Sequence, residues 1–425
     1  MAKSKVLAGI DIGSSKVATL IAQYNEEEGK LSVVGVSSIP SRGVRKGQIV
    51  DIEEAAESVV SSVESAERMA GYSLDRAFVS IGGAHIESRN SHGVVAVADP
   101  SGEITAHDVE RVIEAARAIS LPEAREILHV LPREYKVDGE TLVKDPEGMS
   151  GVRLEVETHL ITGSTSAAKN IFKCVSEVGI TPEALVFSGL ASSFSVLSET
   201  DKELGVVLVD IGGGTTSITA YIEGAIAFSS VLPIGGRNVT NDIAAGLRVS
   251  LDSAEKIKTS LSDDGRMKKT EGEEADTINL GILGIEEEEK KVSKKTLADG
   301  IIKPRMNEIF AMVAMELSNK NIIGRVPSGI VITGGGALCA GTLESARRVL
   351  SLPARVGKPV GVTGLTDEIE SPVYAGAVGL LLYGAKEQKR EESGWSPGGF
   401  IPKFSDIPGR GLIDKVGEIF KKLLP

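Results

Sequence analysis

Residues 206–221 read VVLVDIGGGTTSITAY. Val206, Val207, Leu208 and Val209 run unbroken into Asp210, then come Gly212, Gly213 and Gly214, two threonines (Thr215 and Thr216), and an alternating Ile218, Ala220, Ile222. This pattern predicts strand, tight glycine turn, strand. Neighbouring glycines let backbone N–H groups approach an anion closely, the two hydroxyls add donors, and a carboxylate at the strand end suits a hydrated Mg²⁺. The turn is expected to be a phosphate loop closed by a hairpin.

The same design opens the chain. An apolar strand over residues 6–10 leads into Asp11, Gly13, Ser14, Ser15 and Lys16, and Val17, Thr19 and Ile21 alternate afterwards. Two such loops facing each other would grip a nucleotide tail from both sides, with Asp11 and Asp210 as the two metal-side carboxylates. A third glycine turn, Gly334, Gly335 and Gly336, follows a strand over 329–333 and precedes a helix over 341–350, a geometry that suits a sugar or base lying on bare backbone. Taken singly, that last turn reads better as plain structure. No G-x-x-x-x-G-K-[ST] occurs, and no G-x-G-x-x-G opens a helix after the first strand.

The 425 residues suffice for two or more domains with sizeable cores, and 25% charged against 41% hydrophobic residues is an ordinary globular composition. A net charge of -12 argues against nucleic acid as a main partner. The two cysteines, Cys174 and Cys339, stand in apolar settings without metal-ligand spacing, which reads as reduced core residues of a cytoplasmic protein. All five histidines fall within residues 85–159, unpaired with cysteine, and read as structural. Asp11 interrupts the first apolar run too early for a signal peptide, and no run reaches the length of a membrane helix.

Asp51 and Glu54 make a capping-box-like start to a helix in which Ile52, Ala55, Val59, Val63, Ala66 and Ala70 share a face. A strand over 77–81 follows. Residues 85–159 differ in texture: short strand-like pieces at 93–98, 135–137 and 151–156 surround a helix over 105–120 capped by Thr105 with Asp108, which reads as an inserted subdomain. Residues 160–163 return to strand. Residues 233–262 predict a turn and two helices, with Glu255 and Lys258 spaced as an ion pair, and 262–292 predict edge strands in polar surroundings. A long amphipathic helix over 296–317 is expected to kink at Pro304, and Ser371 with Pro372 starts the last core helix.

The order of the three glycine turns resembles that of the actin, Hsp70 and sugar-kinase superfamily. Within it, the chain is identified as similar to the FtsA family of bacterial actin-like division proteins over residues 6–385, on GVRKGQIVDIE (43–53), VSIGGAHIES (79–88), ILHVLPREYKVDG (127–139), DPEGMSGVRLE (145–155) and LPIGGRNVTNDIA (232–244). The resemblance implies an α/β, actin-like two-domain ATPase fold with an inserted 1C subdomain and a C-terminal amphipathic helix. Subdomain 1A would take residues 1–84, 160–202 and the closing helix 371–386; 1C would take 85–159, 2A 203–232 and 326–370, and 2B 233–325. ATP and Mg²⁺ are the implied cofactors. Asp11, Gly13, Ser14, Ser15 and Lys16 would form the first phosphate loop and Asp210, Gly212, Gly213, Gly214, Thr215 and Thr216 the second. Gly236, Asn238, Glu255, Lys258, Gly334, Gly335 and Gly336 would surround ribose and adenine, and Gly189 and Gly376 would mark the crossing of the hinge helices.

The resemblance also implies partners: other copies of the chain in a filament, the C-terminal peptide of FtsZ, further divisome proteins, and lipid at the cytoplasmic face of the inner membrane at the division site. An apolar, acidic peptide needs Lys or Arg beside an apolar groove, and Lys294, Lys295, Arg305 and Met306 fit, a solvated helix face being the plain alternative. Two departures stand out. The family usually has Ile-Ser-Gly-Ser where this chain has Ile81, Gly82, Gly83 and Ala84, and 262–292 has no aligned counterpart. A phosphatase of the superfamily would carry Glu after Gly189, where Leu190 and Ala191 stand, so hydrolysis is expected to be slow at most; a PilM-like pilus module would lack the tail helix.

Residues 387–411 are charged and rich in Gly, Pro and Ser, as a tether would be. Beyond them Leu412, Ile413, Val416, Ile419, Phe420, Leu423 and Leu424 fall on one helical face, with Asp414, Lys415, Glu418, Lys421 and Lys422 opposite. At 1.5 Å per residue the segment 412–424 reaches roughly 20 Å, too short to cross a bilayer, so it is expected to lie in the membrane interface. The plain alternative is a helix folded back on the protein's own core.

Overall fold

The computed structural model describes residues 4–262, 276–285 and 291–392. One plan is built twice. In the first half, strand Ser4–Ile12 pairs antiparallel with Lys16–Asn25 and parallel with Arg76–Ile81; with Thr181–Phe187, Lys30–Pro40 and Thr363–Gly364 they make a six-stranded sheet. In the second half, Val206–Ile211 pairs antiparallel with Thr216–Ile222 and parallel with Ile330–Thr333, in a five-stranded sheet edged by Ala225–Leu232 and Ala354–Val356. Each half therefore sets a hairpin in its sheet centre and lays parallel strands beside it. Both hairpin turns face the same cleft.

The strand Val206–Ile211 is buried on both faces. Val206 and Leu208 pack into the core of the first half, while Val207, Val209 and Ile211 pack into that of the second. Two-sided burial is why the run is continuously apolar rather than alternating. Two helices, Ser188–Val196 and Ala375–Glu392, cross between the halves. Their closest approach is at Gly379, where a Cβ would lie 1.8 Å from the Ala191 carbonyl oxygen. The crossing expected at Gly189 and Gly376 is thus corrected: a Cβ on Gly189 would meet Thr219 Oγ1 at 2.6 Å, and one on Gly376 would meet the Asp11 carboxylate at 3.1 Å.

Local signals act as read at several helix starts. Asp51 caps Ile52–Ala70 by accepting from Glu54 N, and the helix stops at Gly71 in the left-handed region. Thr105 and Asp108 form a reciprocal capping box on Ala106–Arg117. That helix covers a four-stranded antiparallel sheet of Glu87–Ala96, Arg153–Ser164, Arg125–Val137 and Glu140–Val143. The short pieces expected in this insertion are instead long strands. The pieces expected at 151–156 and 160–163 merge into one continuous strand that starts at Arg153, because the ladder carries half-polar residues such as Glu157 and Thr158 through the gap. The insertion leans on the second half: His159 bonds both Asn90 Oδ1 (2.7 Å) and Ser229 Oγ (3.1 Å), and Ser88 Oγ donates to Ser229 O at 2.6 Å.

Three other expectations shift. The chain rejoins the first sheet at Thr363–Gly364, beside Lys30–Pro40, earlier than residue 371. The helix over 296–317 divides into Lys294–Leu297, a wide π turn Ala298–Ile302, and Lys303–Asn319. Pro304 lacks an N–H, and the wide turn before it accommodates that loss. The last core helix opens with a 3-10 turn, Pro372–Tyr374, before Ala375–Glu392. In the polar stretch 262–292, Thr277–Asn279 and Lys291–Ser293 pair as a short antiparallel ladder. The tether expected from residue 387 begins later, because residues 387–392 continue the helix Ala375–Glu392; the rest of the linker and the terminal amphipathic helix lie outside the described residues.

Gly379 and Gly335 make a test of this packing. Gly379→Ala drives a methyl into backbone and should lower unfolding free energy by about 3 kcal/mol or prevent folding, whereas Gly335→Ala, which meets nothing within 4 Å, should stay within about 0.5 kcal/mol of wild type in urea titrations followed by circular dichroism.

Candidate functional site

Each central hairpin ends its first strand with an aspartate and closes its turn with the same bond. Gly13 N donates to Lys16 O at 2.9 Å, and Gly212 N donates to Thr215 O at 2.8 Å. The two turns touch tip to tip. A Cβ on Gly213 would stand 2.6 Å from Ser15 Oγ, and one on Gly214 would stand 2.7 Å from Ser14 Oγ. Only glycine allows that approach.

Behind the turns lie Asp11, Asp210 and Lys16. Lys16 Nζ donates to Val373 O at 2.6 Å and lies 4.1 Å above the Tyr374 ring centre. Burial lowers its pKa to about 8, against the pull of Asp11 and Asp210. Burial raises Asp210 to about 6; a 2.5 Å hydrogen bond from Ser192 Oγ and the charge of Lys16 oppose the rise, while Asp11 adds to it. Two carboxylates and one ammonium leave the half-buried cluster with excess negative charge when all are ionised. A divalent cation fits that excess, and glycine turns at which a backbone can approach an anion closely fit the phosphates such a cation would carry.

The second loop is buttressed from the start of helix Gly236–Leu247. Gly236 N and Arg237 N donate to Gly212 O (2.8 Å) and Gly213 O (2.7 Å). Asn238 Oδ1 accepts from Gly235 N at 3.1 Å, so its side chain closes its own helix cap. Thr240 joins the expected pair: its hydroxyl donates to Glu255 Oε2 at 2.5 Å, and Lys258 Nζ bonds Glu255 Oε2 (2.7 Å), Thr240 Oγ1 (3.0 Å) and Gly236 O (3.4 Å). Of the third turn, Gly334 and Gly336 are close-approach positions, where a Cβ would reach Asp210 Oδ1 at 2.3 Å and the Ile211 side chain at 2.2 Å. Gly335 faces open space.

Two expected site residues are corrected. Thr216 is fully buried and donates to Ile234 O at 2.9 Å, so its hydroxyl faces away from any phosphate. Met306 is also fully buried in the second core and cannot line a surface groove. Arg305 is held by Asp242 through two bonds (2.6 and 2.8 Å) and by Glu308, while Lys294 and Lys295 begin a short helix whose Lys295 N–H donates to Asp276. Sequence reading missed Ser192 and Tyr374. A serine in an apolar helix and a tyrosine after proline carry no local mark of the carboxylate or ammonium they meet.

This fold, with paired hairpin turns flanking a cleft between two similar halves, defines an actin-like protein. Solved structures agree in fold: PilM of a type IV pilus biogenesis complex (17% identity, TM-score 0.62, covering 89% of this chain and 98% of that one) and MreB5 of Spiroplasma citri bound to AMPPNP (14%, TM-score 0.55, 92% and 99%). Residues 83–162 match the family described as SHS2 domain inserted in FTSA, and residues 207–379 match Cell division protein FtsA. The cell division protein FtsA of Pseudomonas aeruginosa is 42% identical over 90% of both chains, and that of Escherichia coli 36% identical over 92% of both. The chain belongs to the FtsA family of cell division proteins. PilM is a distant neighbour in fold only.

Asp210 supplies a test by pH. A folded-state pKa raised from 3.8 to about 6 contributes stability that is full below 3.8 and lost as pH rises through 6. Without divalent cation, wild type should therefore gain stability relative to Asp210→Asn as pH falls from 7 to 5, measured as the difference in urea midpoint between the two proteins. Equal midpoint shifts would place the titration elsewhere.

Proposed function

We propose that this division protein binds ATP with Mg²⁺ between its halves, assembles as an actin-like filament, and ties FtsZ to the membrane through its terminal helix. The observation that carries the nucleotide step is the tip-to-tip contact of the two glycine turns over the half-buried Asp11, Asp210 and Lys16. Asp11 and Asp210 would hold the hydrated cation, which neutralises phosphate charge. Ser14, Ser15, Gly213, Gly214 and Thr215 would offer backbone and hydroxyl donors to the phosphates, with Gly13 closing its own turn through Lys16 O, and Gly335 with the Glu255 and Lys258 pair would border the nucleoside. MreB5, whose fold is shared, has been solved with ADP and with AMPPNP. Calorimetry should show tight ATP binding that requires Mg²⁺ in wild type and loses that requirement in Asp210→Ala. Equal binding by both proteins would misplace the site.

Filament formation and FtsZ binding rest on family membership. For the FtsZ peptide, Lys294 and Lys295 remain as cations once Met306 is removed from the surface and Arg305 is committed to Asp242 and Glu308. Membrane attachment rests on residues 412–424. Lys415, Lys421 and Lys422, with Arg410 just before the helix, outnumber Asp414 and Glu418 in a chain of net charge -12, and each basic residue near anionic lipid is worth on the order of 1 kcal/mol. One copy should bind marginally, and assembly should multiply the effect by effective concentration. Co-sedimentation with anionic liposomes should fall to background for a chain ending at Glu392, for Phe420→Glu, and for an assembly-defective variant with its helix intact. Should the third pellet like wild type, attachment is independent of assembly.

A further inference from the structure

A third turn meets the two phosphate loops. Val44–Arg45 and Gln48–Ile49 pair as a hairpin whose two-residue turn is Lys46 and Gly47, with φ of 49° and 72°. Two positive φ values in a two-residue connection are the type I′ geometry, which favours Asn, Asp or Gly and strains a lysine. The hairpin is fixed on all sides. Val50 N and Asp51 N both donate to Gly43 O, pinning its base to the start of the first helix (2.8 and 3.1 Å). A Cβ on Gly47 would lie 2.8 Å from Gly83 N. Gly47 N donates to Ser14 Oγ at 2.8 Å, and a Cβ on Gly214 would lie 3.0 Å from Lys46 N. The turn therefore bridges the tips of both loops.

Neighbours along the second loop give the site a direction. Gly334 lies against Asp210 and Gly236 bonds Gly212, whereas the backbone nitrogen of Lys46 lies beside Gly214 at the far end of the loop. A nucleotide with its nucleoside toward Gly335 and Lys258 would end its phosphate chain beneath the hairpin. The titratable side chains of the loops are Asp11, Asp210 and Lys16, and Lys16 is already committed to Val373 O and the Tyr374 ring. A phosphate end that is still anionic beside two carboxylates needs a further cation. Lys46 is exposed, and its flexible four-carbon stem carries a compact charge suited to that place.

We propose that Lys46 is a phosphate contact that distinguishes a nucleoside triphosphate from a diphosphate, an inference that rests on the nucleotide binding proposed above. The strained lysine turn then has a function: it holds a cation where the terminal phosphate arrives and loses its partner when that phosphate leaves. Because the same turn touches a loop from each half, the contact also reports the terminal phosphate to both sides of the cleft.

The test compares full-length wild type with Lys46→Gly, Lys46→Asn and Lys46→Arg, titrated with Mg-ATP and Mg-ADP by calorimetry. Glycine and asparagine both suit the left-handed backbone, so each removes the charge without disturbing the turn, and thermal midpoints without nucleotide should equal or exceed that of wild type. ATP affinity should fall about tenfold in both, ADP affinity less than about threefold, and Lys46→Arg should keep most of the preference, as a charge-assisted bond to the last phosphate requires. An ATP-to-ADP affinity ratio unchanged in Lys46→Gly and Lys46→Asn would overturn this inference and leave nucleotide binding standing. A wild type that binds neither nucleotide would overturn both.

Discussion

Burial of the strand Val206–Ile211 on both faces is the constraint from which the rest follows. Its odd and even positions belong to different cores: Val206 and Leu208 are shared with the first half, and Val207, Val209 and Ile211 with the second. A strand packed on both sides cannot slip by one residue without exchanging the residues each core receives. Asp210 is consequently delivered to one depth, at the floor of the cleft, where a carboxylate on an ordinary half-exposed strand would be hydrated.

The buried aspartate in turn explains what surrounds it. Desolvation disfavours its charge, and the structure opposes that with Ser192 Oγ and Lys16. Ser192 belongs to a helix between the halves whose neighbouring serines are also committed: Ser193 Oγ meets Tyr221 OH at 2.7 Å, and Ser195 Oγ donates to Ala375 O at 2.7 Å. One face of that helix therefore binds the second sheet and the other meets the closing helix, with Gly379 permitting backbone contact at Ala191. A change in charge at Asp210 is felt directly by the helix that crosses between the halves, through Ser192. The inserted sheet adds a second tie through the buried His159, whose pKa falls to about 3 on burial, so it stays neutral while bonding Asn90 and Ser229.

Much of this was legible in the chain. Glycine turns after apolar runs, the caps at Asp51 and Thr105, and the pairing of Glu255 with Lys258 are signals whose parts lie within a few residues of one another, and each acts as read. The fold class followed from the order of three turns. The long strands of the insertion were harder, because Arg153–Ser164 mixes polar and apolar residues with bulges at Glu157/Thr158 and Ile161/Thr162 that break the alternation.

Residues whose meaning depends on a distant partner were decided only in three dimensions. Met306 and Arg305 are neighbours in a helix, yet one enters the core and the other pairs with Asp242, since helix rotation is set by what packs against it. Gly376 is a glycine because Asp11 lies above it, and Thr216 turns inward to donate to Ile234 O, facts that no local pattern encodes. The convergence of Ser14, Gly47 and Gly214 is of the same kind. The chain alone specifies elements and turns, since their periodicities and backbone preferences are local. Which loop faces which, and hence where charge gathers, arises from the docking of two sheets through one shared strand.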